Sequence, residues 1–172
     1  MYNAQCTMYN CFVFNCELEN CELKIIVLAV GKPKDKNIAL LSGMYIERII
    51  PKGLVGVEFA DSAPDGNIKK EGASVLKKLR ERDTVILLDE HGRTYNSVEF
   101  SGFISESLAV TEGRLVFVIG GAFGLSDDVK QRSEGIISLS KMTMPHELCL
   151  LFLSEQLYRA FSIIAGTDYH HI

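Results

Sequence analysis

Two stretches of this chain, Leu23 to Val30 and Leu115 to Ile119, are apolar at nearly every position, and each runs into a glycine, Gly31 and Gly120. A strand with one face in water alternates apolar and polar residues, whereas a strand without a polar face has to be covered on both sides. A parallel sheet between two helical layers meets that demand, and the intervening segments have the spacing to supply the layers. Ile38, Leu41, Tyr45 and Ile49 recur at helical intervals before Pro51. Leu54 to Phe59 reads as a second strand, and the Pro64-Asp65-Gly66 region as a turn-rich connection. A basic amphipathic helix follows, with Ile68, Val75, Leu76 and Leu79 inward and Lys69, Lys70, Lys77, Lys78, Arg80 and Arg82 outward. Thr84 to Leu88 is a third strand. Asn96 with Glu99 makes a capping box for a helix reaching about Ala109. Ser126 is a good N-cap, with Asp127 and Asp128 in the first turn where the helix dipole favours acids. Ile136 to Leu139 is a fifth strand, and the last helix runs from Pro145 to Ala165, ending at Gly166. The expected fold is α/β, an open and mostly parallel sheet with helices on both faces.

At 172 residues the chain has room for one ordinary domain. The net charge of −4 argues against a sequence-blind nucleic-acid binder, which would carry a strongly basic surface. None of the 18 bases and three of the 22 acids lie before Leu23, so the body is close to neutral and local basic patches remain open to it.

Residues 1–22 read differently. Cys6, Cys11, Cys16 and Cys21 recur every five residues, with Asn10, Asn15 and Asn20 before three of them. Four such units cannot bury a continuous core. The spacing is wrong for structural zinc, and the body offers only Cys149 as a further thiol, so neither a metal site nor a disulfide framework is expected. The segment is expected to be a dispensable extension, with 23–172 forming the functional domain. It has no positive n-region and no arginines, as a secretory or transit peptide would need. No apolar run is long enough to span a bilayer, so a cytoplasmic protein without membrane contact is expected.

In an open parallel sheet the ligand sits at the carboxyl ends of the strands. Three loops qualify: Asp89 to Arg93, Gly120 to Leu125, and Ser140 to Met144. Gly120-Gly121-Ala122-Phe123-Gly124 does not match the dinucleotide fingerprint, and two aspartates open the following helix, where a pyrophosphate would need free amides. A neutral or cationic ligand suits the loop better.

Leu87-Leu88-Asp89-Glu90 with Gly92, Phe117 to Ser126, Leu139-Ser140-Lys141-Met142-Thr143-Met144-Pro145-His146, Glu155 to Ala160, and Tyr169-His170 occur here in one order and spacing. In these motifs the region from Leu23 to His171 resembles the ribosomal large subunit methyltransferase H family, SPOUT-class RNA methyltransferases that use S-adenosylmethionine. The resemblance implies a C-terminal trefoil knot, a homodimer, and methylation of N3 of a pseudouridine in 23S ribosomal RNA, within the large ribosomal subunit or the 70S ribosome. It implies S-adenosylmethionine as methyl donor and no metal. By the family motifs, Leu88, Gly120, Leu139, Ser140, Lys141, Met142, Thr143 and Met144 fall on cofactor-binding positions. His146, Arg159, Tyr169 and His170 are the candidates for proton handling and RNA contact. Each has a plainer reading: His146 can cap the last helix, and Arg159 can pair with Glu155 one turn earlier. Asp89 and Glu90 read more simply as a solvated turn, and His91 as a polar loop residue. Homodimer formation has independent support, because the last helix carries Leu148, Leu150, Leu151, Phe152, Leu153, Leu157 and Phe161, more apolar surface than one stripe uses. The tail departs from the family pattern, with Asp168 before the tyrosine and His171 where a base is usual. Two other readings stay open, a catalytically silent ribosome-associated relative and a nucleotide-binding α/β domain.

Overall fold

A computed structural model describes residues 24–50, 52–61 and 66–169. The cysteine repeat, Pro51, Pro64, Asp65, His170 and His171 lie outside the described residues. Five strands, β1 (Ile25–Val30), β2 (Val55–Ala60), β3 (Thr84–Thr94), β4 (Leu115–Ile119) and β5 (Gly135–Ser138), form one parallel sheet in the order β2-β1-β4-β3-β5. The helices between and after them are α1 (Lys36–Arg48), α2 (Ile68–Lys78), α3 (Ser97–Val110), α4 (Asp127–Arg132) and α5 (His146–Ile164).

The apolar runs divide by parity, as strand pleating demands. Ile25, Val27, Ala29, Leu115, Phe117 and Ile119 join Phe100 and Ile104 of α3 and Leu150, Leu153, Leu157 and Phe161 of α5 in one core. Ile26, Leu28, Val30, Val116 and Val118 join Val75 of α2 and Val129 of α4 in the other. β1 and β4 sit side by side in the middle of the sheet, and every residue of both is buried.

Local chemistry sets the helix ends. Asp35, Asn67, Asn96 and Ser126 each accept a hydrogen bond from a first-turn amide, and Asn96 with Glu99 forms the full reciprocal capping box. Helix α5 starts one residue later than expected, with Pro145 as its N-cap, and Gly166 takes φ +65° beyond its end.

Two elements depart from the sequence expectation. Leu41, expected inward, is exposed together with Leu40 and Met44; α1 turns Ser42, with Ile46 partly covered, toward the protein instead. Strand β3 does not stop at Leu88. It pairs with β5 at 86–88, bulges, and pairs again at Arg93 and Thr94, so the expected Asp89–Arg93 loop is an excursion within a continuing strand. Gly92 makes this possible: a Cβ there would lie 2.6 Å from the carbonyl carbon of Ile137.

At the amino ends of β3 and β4, away from the loops just described, Arg114 is buried against Asp83. Its Nε and Nη2 donate to the two carboxylate oxygens at 3.0 and 2.7 Å, and Nη1 reaches Glu58 at 3.2 Å. Burial pushes the Asp83 carboxyl up, but hydrogen bonds from Arg114 and the Arg80 amide outweigh it and hold the group below its ordinary value.

Candidate active site

A cavity of about 550 Å3 opens at the carboxyl ends of β4 and β5 and at the excursion within β3, within the size range of small-molecule sites. Its walls come from all three loops: Leu88 to His91, Gly120 to Ala122 with Gly124 and Leu125, and Leu139, Ser140, Met142, Thr143 and Met144. Pro145, His146 and Cys149 of the last helix close one side. Of the eight positions assigned to the cofactor by resemblance, seven line the cavity. Lys141 does not; its ammonium donates to the carbonyls of Glu90 and Gly92, clasping the β3 excursion to the β5–α5 loop. Thr143 makes the same link through its hydroxyl to Glu90, at 2.8 Å.

The glycine turn is shaped by its own backbone. A Cβ on Gly120 would lie 3.0 Å from the Gly124 carbonyl group and from Leu125 Cγ, so what excludes a side chain there is closure of the turn as much as the ligand space. Gly124 takes φ +85°, a conformation that favours glycine. Behind the turn, buried Glu71 accepts from the Gly66 amide at 3.0 Å, and its other oxygen would lie 2.6 Å from a Cβ on Gly121. Sequence reading passed over Glu71, because a carboxylate in a basic helix gives no sign of burial. It passed over Cys149 as a cavity residue too, although its i,i+3 spacing from His146 puts the two on one helical face. Burial pushes the Cys149 thiol up.

The acids of the first loop are tied to neighbours. Asp89 accepts from the His91 amide and lies 2.9 Å from His91 Nδ1; the amide bond, outweighing partial burial, holds this carboxyl below its ordinary value. Glu147, also passed over, binds the amides of Lys34 and Asp35, and these bonds lower its pKa.

The described candidates for proton handling, His146, Arg159 and Tyr169, fall in two places. His146 is at the cavity, and its Nε2 is buried with no hydrogen-bond partner among the described residues. Arg159 is 13 positions further along α5, roughly 20 Å at the helical rise. It pairs with Glu155, Nε to Oε1 at 2.9 Å, and this bond pushes its pKa up. Tyr169 folds back onto the same cluster: its hydroxyl donates to Glu155 at 3.1 Å, Arg159 lies 4.7 Å from its ring centroid, and Tyr158 meets it edge-on. Tyr169 is therefore fastened to α5. Burial, with hydrogen bonds to Tyr45 and Glu155, pushes the Tyr169 hydroxyl up to about 12.

Residues 23–170 match the family model described as "Predicted SPOUT methyltransferase". The chain belongs to the SPOUT methyltransferase family. Among its relatives, the Ribosomal RNA large subunit methyltransferase H of Porphyromonas gingivalis is 38% identical over 158 residues, taking in 86% of this chain and 99% of the relative. The protein of the same name from Flavobacterium psychrophilum is 39% identical over 156 residues, with 86% and 98% covered. A solved structure, a probable methylase family protein from Haemophilus influenzae, superposes with a TM-score of 0.54 at 12% identity, covering 89% of this chain and 72% of that one, and shares the fold. Within the described residues of this SPOUT chain, no group of three or more metal-ligating side chains converges, and no helix is long and apolar enough to cross a membrane.

Proposed function

We propose that this protein transfers a methyl group from S-adenosylmethionine to N3 of a pseudouridine in 23S ribosomal RNA, acting in the cytoplasm as a homodimer on the large ribosomal subunit or the 70S ribosome. The observation that carries the reading is the cavity itself: its volume, its position at the strand ends, and walls that mix apolar side chains (Leu88, Ile119, Leu139, Met144) with backbone groups of polar loops suit a nucleoside joined to an amino acid. The relatives' shared name supports the RNA substrate.

When bound, the sulfonium of this cofactor supplies an activated methyl group for in-line attack by a ring nitrogen. The protein's part is positioning, which can supply roughly 7–11 kcal/mol of such a barrier. Leu88, Gly120, Leu139, Ser140, Met142, Thr143 and Met144 hold the cofactor, and Lys141 holds their loop in place. The ring nitrogen must lose its proton, and His146, which lines the cavity and whose Nε2 has no hydrogen-bond partner among the described residues, is the acceptor we assign.

Arg159, Tyr169 and His170 enter through the dimer. Leu148 and Phe152 remain 43% and 42% exposed on α5, and Leu40, Leu41 and Met44 are exposed on α1, the helix that packs against it. If two α5 helices pair antiparallel about a two-fold near these residues, the partner's Arg159 comes opposite the first turn of α5, where His146 lies. The arrangement joins the two clusters that a single chain keeps apart. We extend the resemblance to the trefoil knot in the segment that forms the cavity. Calorimetric titration with S-adenosylmethionine and mapping of modified nucleotides in ribosomal RNA from a strain lacking the protein test the proposal. No cofactor binding, or an unchanged pseudouridine, would overturn it.

A further inference from the structure

We propose that Phe123 is a nucleobase platform at the rim of the cavity, on which a base adjoining the target nucleotide stacks. The inference rests on the RNA substrate proposed above. Phe123 is at the tip of the Gly120–Leu125 turn and is 68% exposed. Ala122 and Gly124 on either side of it line the cavity while Phe123 does not, so its ring stands beside the mouth. The ring is seated. Its Cε2 and Cδ2 would be 2.7 and 3.1 Å from a Cβ on Gly66, so it rests against bare backbone that only glycine offers, at φ +82°.

An exposed phenylalanine gains little for folding. One held against backbone at the edge of a nucleotide-sized cavity is pre-organised for a flat, apolar ligand face, and unpaired RNA bases are commonly read by stacking on such side chains. An enzyme that modifies a base must take it out of its stack, and this leaves the neighbouring base without a partner. Cations lie near the turn: exposed Lys69 follows Gly66 in the first turn of α2, and although exposed Asp127 and Asp128 open α4, exposed Lys130 in the same helix lies close enough to act on cavity Asp89. A phosphate backbone therefore finds cationic partners near the ring. Met142, which lines the cavity, is 77% exposed and adds a further apolar surface at the site.

The chain has no tryptophan, so Phe123→Trp would introduce its sole indole. Titrated with a stem-loop of the large-subunit RNA that has an unpaired loop, this variant should lose much of its fluorescence, and a blunt duplex of equal length should leave it unchanged. In parallel, Phe123→Ala should raise the KM for ribosomal particles about tenfold or more with the cofactor Kd unaltered, and Phe123→Tyr should restore it. Equal quenching by duplex and stem-loop, or an unchanged KM in the alanine variant, would overturn the platform alone. A wild-type protein that binds S-adenosylmethionine yet methylates no ribosomal RNA would overturn the functional reading, and the platform with it.

Discussion

Gly120 shows how one missing methyl group serves two purposes. It ends β4 inside the cavity wall, and the space its Cβ would need is taken by the Gly124 carbonyl group. Gly120→Val should force the turn open and raise the Kd for S-adenosylmethionine at least about a hundredfold, close to 2.7 kcal/mol, with the dimer still seen by light scattering. Micromolar affinity in that variant would move the binding site elsewhere. Tyr169 allows a test through pH. Its hydroxyl is pushed up to about 12 by burial and by hydrogen bonds to Tyr45 and Glu155. A group whose folded pKa exceeds its unfolded value of about 10 stabilises the fold fully below that value and loses the contribution as pH rises toward the folded one. The melting temperature should therefore fall more steeply between about pH 10 and 12 in wild type than in Tyr169→Phe, which keeps the ring but has no proton to lose. Parallel curves would show that the tail's hydrogen bond is not maintained in solution.

Among the elements, the starts of β3 and β4 are locked by a buried ion pair whose partners cannot be separated cheaply. Removing one member leaves the other charged and unpaired, at a cost of roughly 3–5 kcal/mol. Asp83→Ala should accordingly lower the melting temperature by about 10 °C, as read by calorimetry, for a domain of this size. The depressed Asp83 pKa sets the sign with acid: its stabilisation is complete above the ordinary carboxylate value near 4 and is lost as pH falls through the lower folded value. Helix α5 raises a different question, because it carries the cavity histidine at one end and the tail cluster at the other. Deleting 168–172 removes Tyr169's contacts with Glu155, Arg159 and Tyr158, so it should lower the melting temperature modestly, leave cofactor affinity nearly intact and reduce methyl transfer to ribosomal particles at least about a hundredfold, or 2.7 kcal/mol in the barrier. An active truncated enzyme would confine the tail to a structural role and leave the chemistry to His146.

At the scale of the whole molecule, the proposed dimer rests on exposed apolar residues of α5, Leu148 and Phe152, with Leu40, Leu41 and Met44 exposed on the neighbouring α1. Phe152→Glu places a charge among them. The proposed dimer should then dissociate, with a halved mass by light scattering and retained secondary structure by circular dichroism. If methyl transfer survives in such a monomer, each cavity is complete without its partner and the route for Arg159 through the dimer is wrong.

What the sequence determined by itself is the layered fold. The parity of apolar residues in Ile25–Val30 and Leu115–Ile119 requires two covered faces, and Asn96, Ser126, Gly120 and Gly166 mark element ends through short-range chemistry that any window of ten residues contains. The three loops of the cavity were legible too, since strand ends in a parallel sheet converge on one edge whatever the strand order. Only tertiary structure decided the rest. Strand order, the return of β3 to β5 beyond Leu88, the burial of Glu71 behind the glycine turn, and the capture of the Lys34 and Asp35 amides by Glu147 all depend on groups far apart in the chain. Leu41 and Leu150 are equally apolar as letters, yet one faces out and the other is buried, because a helix's inward face is chosen by what it packs against. The separation of His146 from Arg159, by contrast, was legible from sequence, because 13 positions on one helix set it at the helical rise.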